Sequence, residues 1–220
     1  KSLGLLESIG GNADFRDSQV EDMGSLRSIG GDAYITGPKI KSLGLLESIG
    51  GNADFRDSQV EDMGSLRSIG GDAYITGPKI KSLGLLESIG GNADFRDSQV
   101  EDMGSLRSIG GDAYITGPKI KSLGLLESIG GYACFGGSRV EDLGSLRSIG
   151  GDANFERSQV KSLGLLESIG GNAYITGPKI KSLGLLESIG GYACFGGSQV
   201  EDLGSLRSIG GSANFKYSQI

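Results

Sequence analysis

Histidine and tryptophan are absent from this chain, and cysteine occurs only twice in 220 residues. Without histidine, a metal site or an acid–base pair would have to be built from carboxylates, amines or thiols. No segment approaches the ~18 consecutive apolar residues of a membrane-spanning helix, so we expect no membrane insertion. Positive charge is also scarce, since 21 Lys and Arg against 27 Asp and Glu give a formal net charge of −6. We therefore expect no nucleic-acid partner.

Glycine is the residue in excess, with 41 copies at regular positions. The chain divides without insertion into eleven consecutive repeats of 20 residues, here called coils, and glycine occupies places 4, 10 and 11 of every coil. This spacing excludes collagen and argues against a disordered linker. A period of 20 is too short for two-helix repeats. The pattern predicts one uninterrupted solenoid array over residues 1–220.

The apolar places within each coil indicate its local structure. They are places 3, 6, 9, 13, 15 and 20, which in the first coil are Leu3, Leu6, Ile9, Ala13, Phe15 and Val20. The alternation around Ala13 and Phe15 predicts a half-buried strand over roughly 12–16. The steps of three from Leu3 to Ile9 predict an extended or 3₁₀-like arc. Gly10–Gly11 predicts one corner, and a second is expected near Asp17–Ser18, where other coils carry the turn pair Gly37–Pro38.

A single 20-residue coil cannot bury its own apolar residues, so the coils must stack on one another. Stacking places each apolar residue over its equivalent at the ~4.8 Å spacing of strands. Eleven coils would then form a rod roughly 50 Å long. The expected fold is mainly β, a parallel β-solenoid of eleven coils.

The predicted strand and its exit resemble the LxLxxNxL core of leucine-rich repeats. The matching residues are Ala13, Phe15, Ser18 and Val20, and the preceding Leu3, Leu6, Ile9 and Gly11 resemble the receptor L-domain variant of that architecture. The resemblance covers every coil, and it implies a right-handed solenoid with a parallel sheet and an extracellular or cell-surface location. The chain departs from the family at Ser18 or Pro38, which replace its Asn, and at Ala13, which replaces a larger Leu. We therefore expect no Asn ladder along the turn.

Two types of coil alternate and carry opposite charges at places 1 and 7. Lys-type coils begin KSLGLLES, as at Lys1 and Glu7, whereas Glu-type coils carry Glu21 and Arg27 at those places. Stacking would form two ladders of alternating sign, each exposed pair contributing ~0.2–1 kcal/mol. Passive duplication of a 40-residue pair would give the same alternation.

The alternation fails once, where the coils 161–180 and 181–200 are both of the Lys type. Stacking then places Lys161 against Lys181 and Glu167 against Glu187. Nearest-neighbour contacts govern the stability of a solenoid, so this junction is expected to be the weakest.

The sequence contains few residues in patterns typical of disulfide, metal or catalytic sites. Cys134 and Cys194 lie three coils apart, roughly 14 Å at strand spacing, whereas a disulfide needs Cα atoms within ~7 Å. They match no metal-binding spacing. The carboxylates recur as rows, which do not form the single preorganised pocket that catalysis needs. We expect no enzyme, no cofactor and no metal.

Variation among the coils concentrates at places 12, 14, 16, 17 and 19, and place 14 should point outward from the strand. Tyrosine at this place is enriched at interfaces. The candidate partner-binding face for a protein or glycan consists of Tyr34, Tyr74, Tyr114, Tyr174, Asp14, Arg16, Asp54 and Arg56. A solvent-exposed face that merely tolerates change is the alternative.

The function we favour from the sequence is a stiff structural scaffold that stacks head to tail into fibres, with recognition by the variable face as the alternative. Candidate end-stacking residues are Lys1, Leu3, Leu6, Glu7, Glu201, Leu203, Leu206 and Arg207. An engineered or consensus array would also explain the three identical 40-residue copies, although the later irregular coils and the cysteines argue against it. The expected partners are thus a second copy of the chain, a protein or a glycan.

Overall fold

The computed structural model describes residues 1–36, 39–76, 79–116, 119–177 and 179–220. Every coil contributes one short strand to each of two 11-stranded parallel sheets, in which neighbouring strands are 20 residues apart. Equivalent places pair directly, as Ser8 with Ser28 and Ala13 with Ala33. The protein is a parallel β-solenoid with a 20-residue period, as the sequence predicts.

The described ranges contain 22 strands, each two residues long. The first sheet contains β1 (Ser8–Ile9), β3 (Ser28–Ile29), β5 (Ser48–Ile49), β7 (Ser68–Ile69), β9 (Ser88–Ile89), β11 (Ser108–Ile109), β13 (Ser128–Ile129), β15 (Ser148–Ile149), β17 (Ser168–Ile169), β19 (Ser188–Ile189) and β21 (Ser208–Ile209). The second contains β2 (Ala13–Asp14), β4 (Ala33–Tyr34), β6 (Ala53–Asp54), β8 (Ala73–Tyr74), β10 (Ala93–Asp94), β12 (Ala113–Tyr114), β14 (Ala133–Cys134), β16 (Ala153–Asn154), β18 (Ala173–Tyr174), β20 (Ala193–Cys194) and β22 (Ala213–Asn214).

Of the two forms predicted for places 3–9, extended or 3₁₀-like, the structure shows the extended one after a tight turn. A turn at places 4–5 is followed by the strands of the first sheet, and the strand predicted for 12–16 is confined to 13–14. The turn forms because place 4 takes a left-handed backbone, with φ near +57° at Gly24. A residue without Cβ accepts that conformation at low cost, so the chain turns sharply there and leaves the turn extended.

The two predicted corners are confirmed where the structure describes them. Bends lie at Gly10–Gly11, and a turn at places 16–17 gives Asp17 a φ of 55°. Asp is among the few residues that tolerate this region, and Gly137 takes it in a later coil. The turn pair Gly37–Pro38 lies outside the described residues.

The core is one continuous apolar column along the rod. The six predicted apolar places are buried in the inner coils, as at Leu43, Leu46, Ile49, Phe55 and Val60. Phe at place 15 stacks on its neighbour where two follow in succession, with 5.1 Å between the rings of Phe135 and Phe155. The sequence therefore predicted the core correctly, because an apolar place must lie over its own copy.

Junctions between coils alternate between tight and loose at the turn of places 4–5. Where a Glu-type coil follows a Lys-type coil, backbone groups meet closely: Ser25 N–H donates to the Gly4 carbonyl at 2.9 Å. Where a Lys-type coil follows a Glu-type coil, the backbones lie farther apart at this turn, since a Cβ added to Gly44 would meet nothing within 4 Å. The charge ladder compensates there, because Arg27 forms an ion pair with Glu47 at 2.6 Å. The structural repeat is thus a pair of coils.

Among the described residues, the place-7 ion pairs join only the Glu-type coil to the Lys-type coil that follows it. This part of the chain contains four such pairs, Arg27–Glu47, Arg67–Glu87, Arg107–Glu127 and Arg147–Glu167. At place 1, Glu21 contacts Lys39 at place 19 as well as the N-terminal amine. The sequence predicted stabilising pairs at every junction, and the structure places those of place 7 at the loose junctions. In the part of the chain described above, no helix is long and apolar enough to cross a membrane.

Candidate functional site

The candidate partner-binding face lies on the second sheet, where aspartate and tyrosine alternate at place 14. Asp14 accepts hydrogen bonds from the Arg16 side chain two residues later, with 2.5 Å between the closest atoms. The Arg16 guanidinium then lies over the ring of Tyr34 in the next coil, 4.8 Å from its centroid. The same arrangement recurs at Arg56 over Tyr74 and at Arg96 over Tyr114, both at 5.0 Å.

This packing covers part of the face that the sequence predicted to be exposed. Only 7% of Asp54 and 8% of Asp94 is exposed, so the expectation of an outward solvent-facing row is wrong for these two residues. Each is flanked on both sides by a coil with tyrosine at place 14, as Asp54 is by Tyr34 and Tyr74. One face of each of the first three tyrosine rings is already occupied by arginine. The rings therefore act as structural contacts between coils.

The charges and hydrogen bonds in this row of aspartate, arginine and tyrosine side chains, here called the Asp–Arg–Tyr ladder, favour ionised aspartates. Burial alone would raise the pKa of Asp54, but hydrogen bonds from the Arg56 side chain and backbone N–H hold it below its ordinary value. Asp94 has the same balance with Arg96. At the open end of the ladder, hydrogen bonds from Arg16 lower the pKa of Asp14 to about 2.

The rod is therefore expected to lose stability in acid. A carboxyl group whose folded-state pKa is depressed stabilises the fold above its unfolded pKa of about 3.9, and that contribution disappears as the pH falls through the folded-state value. Urea unfolding between pH 7 and pH 2 measures the loss. The Asp54→Asn/Asp94→Asn variant should be less stable at pH 7 and show a shallower decline below pH 4. An unchanged decline in that variant would show that these two carboxylates do not cause it.

Shallow clefts separate the arginines along this face. One cleft is lined by Thr76 and lies between Arg56 and Arg96, with a volume of about 510 Å³. A similar cleft, lined by Thr36, lies between Arg16 and Arg56. Sequence reasoning missed these threonines, although their position in every YITGPKI segment of the first 120 residues was a usable signal.

The later coils replace this ladder with two copies of a tyrosine–cysteine cluster. Tyr114 meets Tyr132 edge to face, with 6.0 Å between ring centroids, and Tyr174 meets Tyr192 at 6.3 Å. Burial, and then a hydrogen bond with Cys134, raise the pKa of Tyr132 to about 12. Cys134 and Cys194 lie on the second sheet, half-buried and not disulfide-bonded.

A ladder of side-chain acceptors follows the Gly–Gly corner, at place 12. The Asn12 side-chain oxygen accepts the backbone N–H of Asp32 at 2.8 Å, and Asp32 accepts that of Asn52 at 2.7 Å. The absence of an Asn ladder expected from the sequence concerned place 18, whereas this ladder lies at place 12, where sequence reasoning did not anticipate it, and it uses Asn and Asp interchangeably. It reaches Asp112, which accepts from Tyr132.

The candidate end-stacking residues lie on the first and last coils. Lys1 and Glu7 are exposed at one end, and Glu201 and Arg207 are exposed at the other. Leu3 packs partly against the core, as do Leu203 and Leu206 at the other end. The structure therefore groups these residues at two ends that carry the same apolar rows.

The described residues contain no group of three or more Cys, Asp or Glu side chains that could hold a metal ion. The surface instead carries periodic charges, exposed apolar side chains at the two ends of the rod and repeated shallow clefts. Comparisons with protein-family models, curated proteins and solved structures find no match to this chain.

Proposed function

We propose that the protein is a non-enzymatic structural scaffold, a stiff rod whose terminal coils stack head to tail into filaments. The observation that supports this most directly is the exposure of core rows at both ends. Leu6 is 44% exposed, whereas Leu26 in the next coil is fully buried. At the other end, 39% of Phe215 and 51% of Ile220 is exposed. Covering these side chains with the same rows of another copy would bury them as inside the rod.

The end coils are of the types that an internal loose junction joins. The last coil is Glu-type and the first is Lys-type, so stacking repeats the junction at residues 40 and 41. By analogy with Arg27 and Glu47, Arg207 of one copy would pair with Glu7 of the next. Unpaired strands at both ends would continue the two sheets, since an open strand edge accepts another strand. The contact is heterologous and produces open filaments.

Replacing Gly10 with alanine should abolish filaments without weakening the fold. A Cβ at Gly10 meets nothing within 4 Å in the single chain, whereas a Cβ at Gly50 would collide with the Gly30 carbonyl oxygen. In a filament, the new methyl group would meet Gly210 of the preceding copy in the same way. Electron microscopy and sedimentation would report the loss, and thermal unfolding of the monomer should be unchanged.

A charge exchange provides the matched control. Arg207→Glu or Glu7→Arg alone should weaken stacking. The two substitutions together should restore it, because they form the same ion pair with the two charges exchanged. Filaments that form equally well from Gly10→Ala would contradict the proposal, as would a chain that stays monomeric at high concentration and low salt, where charge attraction is least screened.

The proposal includes kinship with leucine-rich repeats, supported by the parallel strands at places 13–14, which Phe follows at place 15 in most coils. Recognition of a protein segment or a glycan is the second candidate function. The clefts at Thr36 and Thr76 support it, because they repeat two coils apart beside paired arginines and aspartates. Screening the chain against oligosaccharide and peptide arrays tests this alternative.

A further inference from the structure

A row of exposed leucines runs along the turn at places 4–5. Place 5 is leucine in every Lys-type coil and serine in every Glu-type coil. In the inner coils these leucines are 38–47% exposed, although six other places per coil are buried. The leucine stripe consists of Leu5, Leu45, Leu85, Leu125, Leu165 and Leu185, with the serines of the Glu-type coils between all but the last two.

The fold does not require leucine at this place. Serine occupies the same turn in the Glu-type coils, where the backbone is also left-handed at the preceding glycine, as at Gly24 and Gly44. Single exposed leucines are ordinary on protein surfaces. Along coils 1–160 the row repeats every two coils, about 10 Å along the rod, and this periodic apolar row is what suggests an interaction surface.

We infer that the leucine stripe is a lateral docking surface for a second, antiparallel copy of this chain. A two-fold axis perpendicular to the rods places each row against the same row of the other copy and reverses the order of the coils. When each Lys-type coil faces a Glu-type coil, every leucine faces a serine. Leu45 then lies against Ser105 of the second copy, and Leu85 lies against Ser65. The leucines of each rod fill the gaps between those of the other.

Charge complementarity identifies the occupant as a second copy. In the register that places leucine against serine, place 7 brings Glu47 against Arg107 of the other copy, and place 1 brings Lys41 against Glu101. Places 1 and 7, on either side of place 5 in the sequence, therefore face opposite charges along the alternating coils 1–160. A lipid surface presents one sign of charge and would attract only half of each row. The match comes from the same alternation that orders the coils within one rod.

This contact is independent of head-to-tail stacking, so it is tested in the Gly10→Ala background, where the rods do not extend. Sedimentation velocity should show a concentration-dependent dimer. The triple variant Leu45→Ser/Leu85→Ser/Leu125→Ser should raise the dimer dissociation constant at least about hundred-fold, because it removes half-exposed leucines from both copies. Circular dichroism should show an unchanged fold, since serine already occupies this turn in neighbouring coils.

A second variant distinguishes the register from indiscriminate apolar contact. Ser65→Leu/Ser105→Leu makes the stripe more apolar but fills the gaps that receive Leu85 and Leu45, so dimerisation should weaken. Tighter association of this variant would overturn the proposed register. A Gly10→Ala chain that sediments as a monomer at all concentrations would overturn the proposal, and so would leucine-dependent binding to phosphatidylcholine vesicles without a dimer.

Discussion

Gly70→Ala is expected to disrupt the rod between its fourth coil and its neighbours, at a cost of about 3 kcal/mol or more in the free energy of unfolding. A Cβ at Gly70 would lie far inside van der Waals contact with the Gly50 carbonyl oxygen. Backbone atoms cannot rotate away as a flexible side chain can. The coils would have to separate, which would stretch the hydrogen bond from Gly70 N–H to the Ile49 carbonyl, now 2.8 Å.

Two other glycines control for the loss of backbone freedom. Gly10→Ala occupies the same place in the first coil, where no preceding coil approaches, and should leave monomer stability unchanged. Gly44→Ala has open space but a φ of +57°, so it should cost only about 1–2 kcal/mol from the left-handed conformation. Urea unfolding measures all three. Equal stability of Gly70→Ala and Gly10→Ala would contradict the close approach of coils at place 10.

Hydrogen exchange is expected to be fastest, among the inner junctions, where coil 161–180 meets coil 181–200. Among the described residues, no backbone hydrogen bond joins 161–165 to 181–185, so this junction is loose. Other loose junctions carry an Arg–Glu ion pair, whereas here Glu167 stacks against Glu187. The missing pair and the repulsion together should lower protection roughly ten-fold relative to the junction at residues 120 and 121.

Glu187→Gln tests the cause of this weakness. It removes the repulsion from Glu167 and leaves the ion pair between Arg147 and Glu167 intact. Protection at the junction should rise in this variant, and the difference from wild type should shrink at high salt because exposed charges are screened. Uniform protection from residue 121 to residue 220 in the wild type would contradict the prediction.

Several features of the candidate surfaces depended on contacts between coils and could not be predicted from one repeat. Asp54 looks like any exposed aspartate in the sequence, and it is buried because tyrosine-bearing coils flank it on both sides. The arginines over the tyrosine rings likewise come from the preceding coil. Place 12 was missed as a ladder because Asn and Asp alternate there, although both supply the same acceptor oxygen.

The sequence by itself determined the 20-residue period, the stacked parallel arrangement and the six buried places. It could do so because a repeat that stacks on itself places every residue over its equivalent, so apolar residues at constant places must form the core. Only the tertiary structure decided that there are two sheets, since two-residue strands such as Ser48–Ile49 are too short to show an alternating pattern. It also decided the alternation of tight and loose junctions, because backbone approach at Gly24 and Gly44 depends on the neighbouring coil.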